Sequence, residues 1–552
     1  MKTRAAAGAL LLILACGCGA KPPEEAPFPP LFAQGEPFLK AIRKTAAKPL
    51  PAKITGLTLP HHLLAADLMA EALARLAPQK YERIVILSPD HFSRSRTAFA
   101  VTPRNFGTPW GTLRTDQTAV RHLLENKLVS VSGLFSHEHG IQALLPFLAY
   151  YFPQARIVAL AIHRSAKPQD WDSLAQTLAP LLTADTLVIQ STDFSHYLPL
   201  TEARRQDQET LRVLSGGDPE EVIKLTEPGH LDSRAAQYLQ LRLQSQVFQA
   251  RPTVVAHRNS QDYTSEPLAR TTSYLVQLYS PDFFPVEEGE RWFFGGDTFC
   301  GRRVAQRLSL GKNGAELVEQ VLRLTGGAGL IVNLEGVVRE KCPEDPRPME
   351  LCMETGLTLP WLKRMQVRAV SLANNHTRDF GPDAYREMKR TLEGAGLLPL
   401  ENGSVTDLGP FRLAVFTDVD NQSPKKTALL TEKDLAHLEG VPRDKPLFAF
   451  LHWGREYTAE PGLREKALAA QLAEKGVEVI IGCHTHRAGG LSGNPQTCQA
   501  FSLGNFLFDQ SRPGVSGALL EVIFFPQGTY FLRLHHLGNL YQRLSTQAGG
   551  GG

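Results

Sequence analysis

Histidines, carboxylates and amides recur in this chain at one kind of place, directly after short apolar runs. RWFFGG leads to Asp297, and GLIVNLEG carries Asn333 and Glu335. VRAVSLANNH ends in Asn374, Asn375 and His376, with Asp379 just beyond. LFAFLHWGRE delivers His452 and Glu456, VEVIIGCHTH delivers His484 and His486, and CQAFSLGNF delivers Asn505. Oxygen and imidazole donors of these types suit Mn, Fe, Zn or Mg and require no thiolate. In a two-metal site the ions lie about 3.5–4 Å apart, share a ligand and activate water for in-line displacement at phosphorus. On a strand the two histidines of H-x-H would share a face; in a loop after Gly482 they reach one or two ions. Asn333 and Asn505 read equally well as turn residues. Glu456 and Asp379 read as partners that orient neighbouring histidines, and Trp453 as packing.

The first half of the chain repeats the habit. TLPHH gives His61 and His62, ILSPDHF gives His91, FSHEHG gives His137, Glu138 and His139, and QSTDFSHY gives Asp193 and His196. Two or three imidazoles with a carboxylate form either a mononuclear Fe, Cu or Zn site or a pocket for a polar ligand. His163, His230 and His257 read as structural or exposed. His122 and His437 lie in helical patterns and read as surface, while His535 and His536 have no companion motif.

These side chains need elements to hold them. Apolar runs at 53–60, 83–89, 156–163, 186–197 and 272–279 alternate with helical patterns such as residues 65–76. That alternation predicts an α/β fold whose sheet is covered on both faces. SPDFFPVEEGE, with two prolines and an acidic cluster, marks a boundary. Nine further runs follow it, at 291–294, 329–334, 367–372, 412–416, 447–451, 477–481, 498–503, 518–525 and 529–534. The organisation read from this is two α/β domains at 52–280 and 291–541, a linker at 281–290, and a disordered glycine-ended tail at 542–552.

The 552 residues carry 59 Lys+Arg against 56 Asp+Glu, a formal net charge of +3, with 43% hydrophobic and 21% charged residues. This is ordinary globular usage, and the near-balance argues against a nucleic-acid partner. Residues 1–20 join a basic start to an apolar run too short to span a bilayer, the pattern of an export signal. The ending Ile13-Leu14-Ala15-Cys16 resembles a bacterial lipobox, with Cys16 as the lipidated residue and Cys18 as the second option. The expected protein is therefore an exported lipoprotein of the cell envelope, held to the membrane through its anchor and a Pro-rich linker at 21–51. In an oxidising compartment Cys342 and Cys352, which flank a Pro-rich loop, can pair and stabilise by about 2–3 kcal/mol. The five cysteines of the second half are odd in number, so at least one stays free. Nothing in composition sets the oligomeric state.

GGDTF, NLEG, SLANNHTRDFG, LHWGREY, IGCHTH and SLGNFLFD resemble, in order, the blocks of the CapA family of capsule and poly-γ-glutamate biosynthesis proteins. That family is similar to calcineurin-like metallophosphoesterases. The resemblance implies a two-sheet sandwich flanked by helices and one or two divalent ions. It implies Asp297, Glu335, Asn375, His452, His484 and His486 as metal ligands, and His376 as the residue that protonates the leaving oxygen. It departs from the phosphoesterase pattern in two places. Thr298 and Phe299 follow Asp297 where Asp-x-His is usual, and Glu335 stands where a bridging Asp is usual.

In the first half PHH, SPDH, HEHGIQALLPFL and STDFSHY resemble blocks of the Memo family (AmmeMemoRadiSam system protein B). That family is related in fold to class III extradiol dioxygenases, which use non-haem iron. By motif His61, His91, His139, Asp193 and His196 line the pocket. Where the family carries a cysteine, EPGHLDSRAAQYL offers Asp232, so the site is either a harder His/His/Asp centre or a binding pocket without chemistry. Three function classes follow: a metal-dependent hydrolase of capsule or envelope polymer, a non-catalytic envelope assembly factor that holds the polymer, and a redox enzyme in the first half.

Overall fold

The computed structural model describes residues 25–309, 312–345, 347, 349–420 and 429–546. Cys16 and Cys18, the expected lipidation positions, and the rest of the expected export signal lie outside them. Among the described residues no helix is long and apolar enough to cross a membrane.

The first half is built on one nine-stranded mixed sheet. At its centre Gly56–Leu59, Thr186–Ser191, Arg83–Pro89 and Arg156–Ile162 run parallel. Thr271–Ser280 and Arg251–Asn259 extend one side antiparallel, and Phe99–Val101 the other. Alternate side chains of a strand face opposite ways, and both ways lead into core here. Ile84, Ile86, Leu187 and Ile189 join the cluster under helices Glu36–Lys44 and Ala66–Leu76. Val85, Leu87 and Val188 join the cluster under helices Pro168–Leu178 and Arg234–Val247. Continuous apolar runs are what such a doubly covered sheet demands.

The second half is a layered sandwich. One sheet includes Leu398–Leu400, Val367–Ser371, Gly329–Leu334, Glu290–Thr298, Gly517–Phe524 and Tyr530–Gly538, in that order. The other includes Arg412–Thr417, Leu447–His452 and Val477–Cys483 as parallel neighbours. Phe294, Ile331, Leu413, Val415, Phe450 and Ile481 meet between the sheets. There Phe411 stacks on Phe448 and Phe524 at 4.8 and 5.5 Å between ring centres. The outward-facing residues Phe293, Leu330 and Val332 pack under helices on one side, and Ala449 and Ile480 under helices on the other.

Four expectations need correction. The 21–51 segment is not only a linker: Phe38, Ala41 and Ile42 of helix Glu36–Lys44 are buried on the first core, because their 3–4 spacing makes one apolar stripe. The 281–290 segment is packed, with Phe284 and Val286 buried. Helix Leu540–Thr546 continues past Tyr541, with Leu544 buried beside Leu540, so 542–546 belong to the fold. The run 186–197 is two strands, Thr186–Ser191 and Phe194–Leu198, and the second pairs antiparallel with Thr271–Ser280. Cys342 and Cys352 form a disulfide, and Cys300, Cys483 and Cys498 are free and buried.

The halves adjoin along a polar and apolar junction. Ile523, Phe525 and Phe531 enter the first domain's second core. His257 places Nδ1 2.8 Å from the Thr529 hydroxyl and Nε2 3.0 Å from Asp207. Arg212 donates to the carbonyl of Pro495 at 2.9 Å and pairs with Glu478.

Candidate metal centres

In the second domain the parallel strands of both sheets end at one place. Asp297 closes Glu290–Thr298, His452 closes Leu447–His452, and His484 follows Val477–Cys483. Close backbone approach brings them together. A Cβ on Gly296 would lie 2.0 Å from the Gly504 carbonyl oxygen, and one on Gly482 1.8 Å from that of Phe501. His484 and His486 are both in the left-handed region, at φ 91° and 59°. Non-glycine residues hold that conformation at a cost, and such outliers cluster at functional sites.

Three donor triads result: Asp297, His452 and Cys483 make one, and the other two share one carboxylate. Glu335, His452 and His484 offer ligand atoms within 4.8 Å of one another, as do Asp297, Glu335 and His486. All five residues are buried. Asn375 Oδ1 lies 2.8 Å from His452 Nε2. His486 Nδ1 lies 3.2 Å from Asp297 Oδ2 and 2.8 Å from Asn505 Oδ1. The Asp297 carboxylate accepts the backbone N–H of His484 at 3.0 Å and the Asn333 amide at 2.9 Å. Glu335 Oε2 and His484 Nδ1 are buried with no hydrogen-bond partner. Orphaned donors and acceptors are costly in a core, and a divalent cation satisfies both. The donor set therefore fits a metal.

The electrostatics agree with that fit. Burial, and then the neighbouring Asp297 charge, pushes Glu335 up to about 8. Burial opposes charge on Asp297 too, but the His486 hydrogen bond and the His486 and His452 charges hold it at about 2. Burial and the adjacent His486 lower His484 to about 4, and His452 falls well below its usual value through burial and His484. His452 and His484 are thus kept neutral as a cation requires, whereas at His486 burial is outweighed by the Asp297 hydrogen bond and the Glu335 and Asp297 charges, which carry it to about 9, so an ion bound there displaces its proton.

His376 sits beside the triads. Its Nδ1 is 3.0 Å from Asp379 Oδ2, and its Nε2 is 3.9 Å from Glu335 Oε1. Burial alone would lower His376, but the Asp379 hydrogen bond and the Glu335 charge raise it. Three further residues take part. Asn333 links Asp297 to His452 Nδ1, 3.2 Å away, and Asn374 holds Asn333 at 3.1 Å. Cys483 places its sulfur 3.5 Å from His452 Nδ1. Asn374 and Cys483 stand in the same strand-end blocks as the other donors, which was the available signal. Glu456, half-exposed, acts on these donors through its charge on Glu335.

The first domain holds a second cluster. His61, His91 and His139 offer ligand atoms within 4.8 Å of one another, with ring centres 4.0–5.2 Å apart. Asp232 Oδ2 lies 3.3 Å from His61 Nε2 and 3.8 Å from His91 Nε2. Asp193 accepts the His61 N–H at 3.0 Å and donates its own N–H to Asp232 at 3.1 Å, which turns the chain between the two strands there. His196 Nδ1 and Asp232 Oδ1 are buried without partners. Glu138 is fully buried; it lies 2.6 Å from His91 Nδ1 and accepts the N–H groups of His91 and Gly140. It fixes the ring that a metal would use. The sequence shows Glu138 between two histidines but not its role, which depends on a contact with His91 formed only in the fold. His137 points away, exposed, to Ser136, and His62 bonds the Tyr274 hydroxyl. Burial, then the Asp232 charge, pushes Asp193 up to about 8; hydrogen bonds to Asp232 and Glu138 outweigh burial and carry His91 to about 10.

These two centres belong to two known classes of domain. Residues 34–276 match the family model of Memo-like protein. Residues 291–407 and 417–510 match that of bacterial capsule synthesis protein PGA_cap. The chain thus carries a Memo-like domain followed by a PGA_cap domain. Among relatives, a MEMO1 family protein of Methanopyrus kandleri is 29% identical over 151 residues, 26% of this chain and 53% of that protein. The capsule biosynthesis protein CapA of Bacillus anthracis is 28% identical over 176 residues, 28% of this chain and 43% of that one. The PGA biosynthesis protein CapA of Bacillus subtilis is 25% identical over 263 residues, 43% of this chain and 66% of that one. The chain spans about half the length of the first two relatives.

Proposed function

We propose that this is an envelope lipoprotein whose PGA_cap domain is a calcineurin-like, metal-dependent hydrolase acting in capsule or envelope polymer biosynthesis. The observation that carries the reading is the pair of donor triads sharing Glu335, a bridging arrangement suited to two ions. The CapA relatives' names supply the polymer context. A divalent ion bound there supplies Lewis-acid activation of water and of an ester or acyl oxygen. The chain's own residues do the rest. Asp379 holds His376 by Nδ1, leaving Nε2 turned toward the shared carboxylate, where it delivers a proton to the leaving oxygen. Asn333 holds Nδ1 of His452, leaving Nε2 and the neighbouring Asn375 Oδ1, 2.8 Å away, as the donors that would hold an ion. Metal analysis with a generic phosphodiester assay on the wild type and His484→Ala tests the reading. Metal-dependent turnover lost in the variant supports it. Metal bound without hydrolysis of any phosphoester or isopeptide supports an assembly factor instead.

A second reading concerns the Memo-like domain, and the placement of Asp232 favours it. With His61 and His91 it makes two imidazoles and one carboxylate, the donor set of mononuclear non-haem iron centres, also open to Zn or Cu. We propose a dioxygenase-like fold and a single ion there. His91→Ala, in full-length protein with the second centre disabled, should abolish metal retention.

A further inference from the structure

We propose that Cys483 is a positioning residue, whose sulfur accepts a proton from Nδ1 of His452 and so frees Nε2 of that ring to hold an ion. The inference rests on the reading of this centre as a metal site, and adds to it the residue that readies one of the ligands.

A chain of amides fixes which nitrogen of His452 bears the proton. The backbone N–H of His376 donates to Asn374 Oδ1 at 3.1 Å. The Asn374 nitrogen therefore faces the other way, and donates to the Leu334 carbonyl at 2.9 Å and to Asn333 Oδ1 at 3.1 Å. That orients Asn333 as well: its nitrogen donates to Asp297 Oδ1 at 2.9 Å and to His452 Nδ1 at 3.2 Å. An amide nitrogen only donates, so Nδ1 accepts there. Burial, and then the His484 charge, keeps the ring neutral, and a neutral imidazole has one N–H. As bonded here, that proton sits on Nε2 and points to Asn375 Oδ1, 2.8 Å away.

An ion needs the lone pair of Nε2, so the proton must pass to Nδ1 and find an acceptor there. The Asn333 amide, a donor, cannot serve. Asp297 Oδ1 is 3.8 Å away and already accepts from Asn333. Cys483 Sγ is nearer, at 3.5 Å. Its S–H donates to the Leu451 carbonyl at 3.3 Å, which leaves the sulfur lone pairs to accept. His452 and Cys483 are 1% and 2% exposed, so water does not take this place. Sulfur is a weak acceptor, but it is the one the fold sets beside the ring. Asp297, His452 and Cys483 group closely enough to suggest an ion of their own. The Asn333 nitrogen, bonded to two of the three, holds that position instead, so the sulfur serves the ring.

Titration of the full chain with zinc and with cobalt, the first centre disabled by His61→Ala and His91→Ala, tests the role. Cys483→Ala should weaken ion binding by about tenfold or more, and Cys483→Ser, which keeps an acceptor, should lose less. Nitrogen NMR of labelled histidine reads the tautomer directly: His452 should carry its proton on Nε2 before zinc is added and on Nδ1 after. Wild-type affinity in Cys483→Ala, an equal loss in both variants, or a proton on Nδ1 before zinc is added would overturn this role alone. So would a thiolate-to-cobalt charge-transfer band, which would make the sulfur a ligand. A wild-type chain that binds neither ion would overturn the metal reading and this role with it.

Discussion

Nδ1 of His376 lies 3.0 Å from the carboxylate of Asp379, and that carboxylate also accepts the backbone N–H of Leu351 at 2.8 Å. Asp379 is thereby fixed from one side and fixes the imidazole on the other. Asp379→Asn keeps the size and can still accept from Leu351, but removes the charge that helps raise His376 against its burial. We expect kcat for phosphodiester hydrolysis to fall about 10–100-fold with KM little changed. Steady-state kinetics check this; an unchanged kcat would remove His376 from the chemistry.

Asp232 should set the metal preference of the first domain. Asp232→Asn retains the shape and the hydrogen bond from Asp193 but not the charge. In protein whose second centre is disabled by His484→Ala and His486→Ala, the substitution should weaken metal binding by about tenfold or more. Equilibrium dialysis with Fe, Zn and Cu reads the outcome. Unaltered affinity for all three would leave the cluster as a polar pocket.

Glu521 should make stability depend on acid pH. Burial would raise this carboxyl, but the His535 hydrogen bond and the Arg533 and Arg291 charges hold it at about 2, against about 4.3 when unfolded. A depressed carboxylate contributes stability that is complete above the unfolded value and lost as pH falls through the folded one. The loss from this group should therefore fall between about pH 4 and pH 2. Glu521→Gln, which strands the buried guanidinium of Arg533 and the half-buried one of Arg291, should cost about 3–5 kcal/mol at neutral pH. Chemical denaturation across pH measures both effects; a variant as stable as the wild type would show that the cluster is not structural.

The Cys342–Cys352 disulfide closes a loop with a sequence separation of 10. Its removal by Cys342→Ser with Cys352→Ser should cost about 2–3 kcal/mol. The transition to follow is that of the PGA_cap domain, with and without reductant. Reductant should lower the wild-type midpoint and leave the double variant unaffected.

The strands that carry the donors were legible because each is an apolar run ending in a polar block. Arg251–Asn259 was not, since its His257 and Arg258 interrupt the run and His257 reaches across to Thr529, a contact made only in the fold. Helix Glu36–Lys44 was hidden in a Pro-rich, charged stretch whose apolar stripe shows only once it docks. Among the site residues, Asn333 looked like any turn asparagine. Its amide instead joins Asp297 to His452, strands from two different sheets, and no local pattern encodes that. Glu138 between two histidines was visible in the sequence, whereas its hold on His91, 47 residues earlier, was not.

Metal content of the full chain tests the shared role of Glu335 most directly. With the first centre disabled by His61→Ala and His91→Ala, elemental analysis should find about two divalent ions per chain. Glu335→Gln in the same background should lose at least one of them. A chain that binds no ion with Asp297, Glu335, His452, His484 and His486 intact, or that keeps its full complement in Glu335→Gln, would contradict the account.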